Sequence, residues 1–199
     1  MTKTQLPLNF LKHTSKNLLQ RFLINNFYNS LISLARPLYP KSILDAGCGE
    51  GFTMDRLKKN GIGEKIEGIE YSKDAISLGK KLFTNLIFKL GSVYNLPHKD
   101  NSFDLVICTE VLEHVDNPIK ALQEVLRTSK KYAIFSVPNE PFFMLSNLLR
   151  GKNLSTWGND PGHIQHWTLL SFKKFLKKNS VKIKAVKFPF PWIMILGKK

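Results

Sequence analysis

The spacing of apolar positions changes along this chain of 199 residues. Between residues 15 and 35, Leu18, Leu19, Phe22, Leu23, Phe27, Leu31 and Leu34 recur every three or four positions. That is the period of an amphipathic helix, and Pro37 and Pro40 then stop it. From Ile43 onward, short apolar runs alternate with helical patterns, which predicts βαβ units around a parallel sheet. The runs SILDAG, KIEGIE, LIFKLGS, FDLVICTE, KYAIFSVP, VKIKAVKF and WIMILGKK read as seven strands. Helices are predicted over about 51–60, 73–82, 118–128, 142–150 and 168–178. Asn117 before Pro118 suits a helix start, with Asn as cap and Pro at the first helical position. Pro189 and Pro191 separate the last two runs closely, so these pair antiparallel at a sheet edge. The pattern divides the chain into an N-terminal helical lid, 1–40, and an α/β domain, 41–199.

Composition narrows the picture only in part. A length of 199 residues, 43% hydrophobic and 23% charged, is that of a globular chain large enough to bury its own core. Cys48 and Cys108 form no disulfide framework; they read as packing residues in a reduced, cytoplasmic setting. No signal peptide is legible, and no apolar run approaches the roughly 20 residues of a membrane span. The formal charge is +15, but 25 of the 30 basic residues are lysine and five are arginine. Phosphate readers concentrate arginine, so the excess reads first as a solvated surface. RNA, or an anionic or membrane-associated substrate, is the alternative.

Candidate chemistry begins at ILDAGCGEG, where a strand runs through Gly47, Gly49 and Gly51 into a helix. Such a turn admits a ligand close to the backbone. The third glycine of a dinucleotide fingerprint is missing, since Phe52 stands in its place. Asp45 and Glu50 flank the turn, and carboxylates repel a pyrophosphate but attract an ammonium. Glu70 lies at the next strand end, 19 residues beyond Gly51, where it can accept from ribose hydroxyls. An amino-acid portion at the first strand and a ribose at the second describe S-adenosylmethionine.

The segments LDAGCGEG, GIEYSKDAI, GSVYNLPHKDNSFDLVICTEVLEHVDNP and EVLRTSKKYAIFSVPNE together resemble the class I S-adenosylmethionine-dependent methyltransferases over about 41–197. Within that class the resemblance runs to the type 11 and ubiquinone-synthesis O-methyltransferases. It implies a Rossmann-like, seven-stranded sheet of order 3-2-1-4-5-7-6 with strand 7 antiparallel and the cofactor across the strand ends. Carried over by position, Asp45, Gly47, Gly49 and Gly51 line the methionine portion, and Glu70 holds the ribose. Tyr71 flanks the adenine, and Ser92 and the Val93 backbone replace the aspartate that the family often places there. Thr109 and Glu110 lie beneath the sulfonium.

The acceptor side is sought among the histidines. His163 and His166, in the loop NDPGHIQHWT, and His114 are the candidate catalytic groups, whereas His13 and His98 are expected to be exposed. If helical, Glu110, Glu113 and His114 share one face at i, i+3 and i+4. E-x-x-E-H with a later histidine resembles the ligand set of metal-dependent small-RNA 3′-terminal 2′-O-methyltransferases. That resemblance implies Glu110, Glu113, His114 and His163 around Mg, Mn, Fe or Zn. A metal-free polar pocket, or Glu113 and His114 merely closing a helix start, are the other readings. The function expected is O-methylation of a small-molecule or lipid-like acceptor. A metal-dependent RNA 2′-O-methyltransferase and a non-catalytic cofactor-binding regulatory protein are the alternatives.

Overall fold

The computed structural model describes residues 8–149, 151 and 153–199. Its elements in chain order are α1 (Leu8–Thr14), α2 (Leu18–Ala35), β1 (Ser42–Ala46), α3 (Phe52–Lys59), β2 (Lys65–Glu70), α4 (Lys73–Leu82), β3 (Ile87–Leu90) and β4 (Phe103–Thr109). There follow α5 (Pro118–Thr128), β5 (Ser129–Pro138), α6 (Phe142–Leu149), α7 (Leu169–Lys178), β6 (Lys182–Lys187) and β7 (Trp192–Lys198).

Seven strands form one sheet of order β3-β2-β1-β4-β5-β7-β6, as the sequence resemblance implies. The first five are parallel, and β7 runs antiparallel to both β5 and β6. Side chains alternate across the strands and so feed two apolar layers. Ile43, Leu105 and Ile107 face a cluster that includes Leu31 of α2 and Leu57 of α3. Leu44, Val106 and Cys108 face the other, with Leu122 of α5 and Phe172 of α7. Gly68 of β2 leaves the space that Cys48 and Met54 fill. Burial pushes the thiols of Cys48 and Cys108 upward and keeps them protonated, in keeping with a packing role.

Helix starts follow local chemistry. Asn17, Ser72 and Asn117 each accept a backbone N–H three residues on, and Thr168 and Ser171 form a reciprocal capping box. The helix predicted from about residue 15 instead starts at Leu18, after a separate α1. Ser15 accepts the N–H of Asn17, and Asn17 caps α2, so side chains there outcompete the helical ladder. Residue 150, the predicted end of α6, lies outside the described residues, as do residues 1–7.

The segment 110–117 is not helical, which corrects the shared-face geometry expected for Glu110, Glu113 and His114. Glu110 leaves β4 with φ of 58°, in the left-handed region, and the chain turns through a His114 N–H to Val111 C=O bond of 3.0 Å. The expected exposure of His98 is also corrected. Its Nε2 lies 2.5 Å from Oε1 of the buried Glu67, the oxygen that Lys89 also meets, at 2.9 Å.

Because Leu31 is fully buried where α2 meets the sheet, Leu31→Ala lowers the unfolding free energy by about 2–5 kcal/mol. Urea unfolding followed by circular dichroism measures the loss.

Candidate active site

The carboxyl ends of β1, β2, β4 and β5 meet on one side of the sheet. The strand order reverses between β1 and β4, the point at which open α/β sheets take ligands. Asp45, Glu50 and Glu70 are gathered there, all buried. The glycine turn is tied to β2 through the N–H groups of Gly47 and Cys48, which both donate to Ile69 C=O, at 2.8 and 3.0 Å. Gly47 has φ of 84°, and a Cβ there would overlap Val111, so neither backbone nor space accepts another residue.

Glu70 is held from two directions. Gly49 N–H donates to Oε2 at 3.0 Å and Ser72 N–H to Oε1 at 2.8 Å. Each oxygen keeps a further lone pair for a ligand hydroxyl. Asp45 has no such support at Oδ2, which is buried without a hydrogen-bond partner. Burial, and then the charge of Glu70, pushes the Asp45 carboxyl up to about 7. A cation at this position would answer that charge, which is the chemistry of an ammonium-bearing ligand.

The helix α1 lies over the turn. Asn9 donates its amide to Glu50, and His13 stacks on Phe52 with ring centroids 4.4 Å apart. His13 is therefore half-buried, not exposed as expected from sequence; burial, then Lys12 and Arg56, lower its pKa to about 3. Lys12 reaches across to Glu110 at 3.7 Å and lies 4.7 Å from the Trp192 ring centre. Ser136 donates to the other oxygen of Glu110 at 3.0 Å, so Glu110 is held between β5 and α1.

Among the remaining cofactor-side candidates, Thr109 is buried at the end of β4, while Tyr71 is 81% exposed with its ring in solvent. Ser92 accepts the Tyr94 N–H at 3.2 Å, and Val93 packs half-buried on the core.

On the acceptor side the turn after β4 meets the loop before α7. Ile164 and Gln165 N–H donate to Glu113 C=O at 2.9 and 3.0 Å, and His114 Nδ1 lies 2.7 Å from Gly162 C=O. His114 and His163 thereby come to 4.9 Å between ring centroids. Donor atoms of Glu113, His114 and His163 lie within 4.8 Å of one another. Glu110 and His166 are not in that group, and His166 is exposed. Glu113 is fully buried with both oxygens unpartnered, and burial, followed by the Glu110 charge, holds its pKa well above the carboxylate range.

One group escaped the sequence reading. Glu140 is buried, with Oε1 3.8 Å from His163 Nδ1. Neither of these two atoms has a hydrogen-bond partner among the described residues. Its place in VPNEPFF, just past a strand end on the acceptor side, was the available signal. Asn9 and Lys12 of α1 were missed as well, because no pattern linked them to the glycine turn.

A family model for a methyltransferase domain matches residues 44–137. Norajmaline N-methyltransferase of Rauvolfia serpentina is 32% identical over 145 residues, which are 70% of this chain and 44% of that protein. Ubiquinone biosynthesis O-methyltransferase of Vibrio cholerae is 25% identical over 118 residues, 56% of this chain and 47% of that one. The chain thus spans less than half the length of these relatives. Among solved structures, the methyltransferase domain of bacterial CtHen1 superposes with a TM-score of 0.70 at 21% identity. The match covers 89% of this chain and 100% of that one, and it shows the fold.

The unpartnered Asp45 sets a pH dependence for the ligand-free protein. Its folded pKa of about 7 stands above an unfolded value of about 3.9, so its stabilising contribution is present below the unfolded value and is lost as pH rises through the folded one. Asp45→Asn removes that loss. Thermal melts of variant and parent draw apart in the variant's favour between about pH 4 and pH 7 and keep a constant gap above that range.

Proposed function

We propose, on the premise of the methyltransferase-domain match over residues 44–137, that the chain is a class I methyltransferase that binds S-adenosylmethionine and methylates an oxygen of a small-molecule or lipid-like acceptor. Residues 41–199 carry the chemistry in this reading, and residues 1–40 cover it as a lid. The observation that carries it is the nest of buried carboxylates at the β1–β4 parting, with Asp45 unpartnered inside it.

The residues fit the cofactor. Asp45 and the open glycine turn receive the ammonium end, the spare lone pairs of Glu70 receive the ribose hydroxyls, and Thr109 and Glu110 border the sulfonium. Tyr71, Ser92 and Val93 lie on the adenine side. When bound, S-adenosylmethionine supplies a methyl group activated by its sulfonium. His163 is the base: its Nε2, the ring nitrogen opposite the one that faces Glu140, takes the acceptor hydroxyl proton as the oxygen–carbon bond forms and the sulfur–carbon bond breaks. Glu140, 3.8 Å away, stabilises the imidazolium that results. His114 orders the loop through Gly162 and narrows the pocket beside His163. His166, exposed, serves the pocket mouth.

A nitrogen acceptor, as the name of the Rauvolfia relative implies for that protein, needs no base when it already offers a free lone pair. The buried His163–Glu140 pair favours oxygen here. The RNA reading draws on the E-x-x-E-H resemblance, and Glu110, its first residue, is not among the donor atoms that come together.

A second reading rests on the group Glu113, His114 and His163. Carboxylate and imidazole donors suit a divalent ion, and a cation would answer the two unpartnered Glu113 oxygens. Mg, Mn, Fe or Zn bound there would lower the pKa of an acceptor hydroxyl. Glu110, committed to Ser136 and Lys12, is the weakest candidate for a fourth ligand.

Calorimetry with S-adenosylmethionine is expected to give saturable binding, which Glu70→Ala weakens about tenfold to a hundredfold through lost charge-assisted hydrogen bonds. Labelled-methyl transfer into a fractionated cell extract then identifies the acceptor. His163→Ala lowers that transfer about 10²- to 10⁴-fold while cofactor affinity holds. Under the metal reading, chelation abolishes transfer, added ion restores it, and Glu113→Ala removes ion binding in a separate titration. Chelator-insensitive transfer leaves the metal-free base.

A further inference from the structure

The corner where α1 meets α2 is built unlike an ordinary protein surface. A cleft of about 300 Å³ opens there, and Lys12, Lys16, Arg21 and Arg56 supply its charged walls. No carboxylate among the described residues lines it. Among the described residues, Lys12 alone of the four has a carboxylate within ion-pair distance, Glu110 at 3.7 Å. Arg56 lies 5.2 Å from the Tyr28 ring centre and donates to Asn25, so among the described residues no carboxylate answers the charge of Lys16, Arg21 or Arg56.

Around this cleft the helices turn apolar side chains outward. Leu18 is 79% exposed, Phe22 66% and Leu19 55%, within the first turns of α2 and beside Arg21. Leu11 of α1 is exposed next to Lys12. A surface helix normally hides such residues. The inversion recurs on α6, which joins the same apolar cluster as Leu23 and Ile24 through Phe143. There Ser146 and Asn147 are buried while Leu145 and Leu149 face out.

Three occupants suit an apolar rim around a basic cleft to different degrees. A second copy would bring another +15 charge to the contact, and like charges oppose it. A nucleic acid would answer the cleft but leave three leucines in water, with a single ring at Phe22 on which to stack. An anionic bilayer satisfies both parts, because basic side chains meet phosphate headgroups while the leucines and Phe22 enter the acyl boundary.

We propose that the α1–α2 corner docks this protein on the surface of anionic phospholipid bilayers, with the headgroup phosphate seated among Lys16, Arg21 and Arg56. The docking is independent of the transfer chemistry proposed above and is read without it. It would hold the acceptor opening at the plane where amphiphilic molecules reside.

The test is sedimentation of the full chain with phosphatidylcholine vesicles, with and without phosphatidylglycerol. Binding is expected to the anionic vesicles, to weaken with added salt and to be negligible on neutral ones. Arg21→Gln lowers the partition coefficient about fivefold, and Leu18→Gln with Phe22→Gln lowers it at least about tenfold. These side chains are exposed, so unchanged thermal melts establish that the variants fold. Absence of anionic-vesicle binding, or variants that bind like the parent, overturns the proposal. Displacement by inorganic phosphate alone would assign the cleft to a soluble anion instead. Tighter binding to single-stranded RNA that Leu18→Gln leaves intact would assign it to nucleic acid. A dimer in light scattering that Phe22→Gln dissolves would assign the rim to a second copy.

Discussion

Negative charge held out of water where β1 and β4 part is the constraint to which the surrounding structure answers. Asp45, Glu50 and Glu70 converge there, and burying a carboxylate costs several kcal/mol unless something meets it. Glu70 is met by two backbone N–H groups, and Glu50 by the amide of Asn9. Asp45 Oδ2 is met by no hydrogen-bond partner among the described residues. The glycine turn supplies part of this answer, since only a backbone at positive φ and free of Cβ atoms can aim N–H groups inward at so short a range. The residual charge would draw a cation, and the same field would repel a pyrophosphate.

That constraint also accounts for the position of α1. Two of its polar contacts go to carboxylates of the opening, Asn9 to Glu50 and Lys12 to Glu110. Others tie it to α2 through Gln20 and Tyr28, and His13 and Phe10 lie against Phe52. The helix is thus fastened through the groups that a cationic ligand would engage. Lys12 and a ligand ammonium would be like charges drawn to neighbouring acids, so α1 and such a ligand would compete in part for the same field. If residues 1–40 serve as the proposed lid, one fastened this way would be loosened by the molecule it covers, which suits a site that must admit and release a ligand.

Much of this was legible in the sequence. The seven runs became seven strands because apolar residues at period two must face opposite layers, and β4 carries that alternation from Leu105 to Cys108. Asp45, the glycines and Glu70 were visible because a strand–turn–helix fixes its ligand side locally. The acceptor side was less legible. The expected helix through Glu110, Glu113 and His114 is absent, because Glu110 takes a left-handed conformation and the chain turns before Pro118. His114 and His163 nevertheless meet, through tertiary bonds from Glu113 C=O to residues about 50 positions on. Glu140, Asn9 and Lys12 were missed for the same reason, as contacts made across the fold leave no local period.

The two chemistries open to the acceptor pocket share one atom and exclude each other. His163 can accept a hydroxyl proton only while an unshared nitrogen pair faces the acceptor. The same pair given to a metal is no longer basic, and the proton would then have to leave through another group. Glu140 discriminates between these uses. Behind a base its charge is productive, because it steadies the imidazolium formed at 3.8 Å. Behind a metal ligand it would serve only to orient the ring. Glu113 pulls the other way, since two buried unpartnered oxygens serve a base poorly and a cation well. The pocket therefore holds one feature for each reading, and the residue that separates them is Glu113. A proton on its carboxyl, as burial favours, leaves His163 free to act as base; a cation bound there takes His163 away.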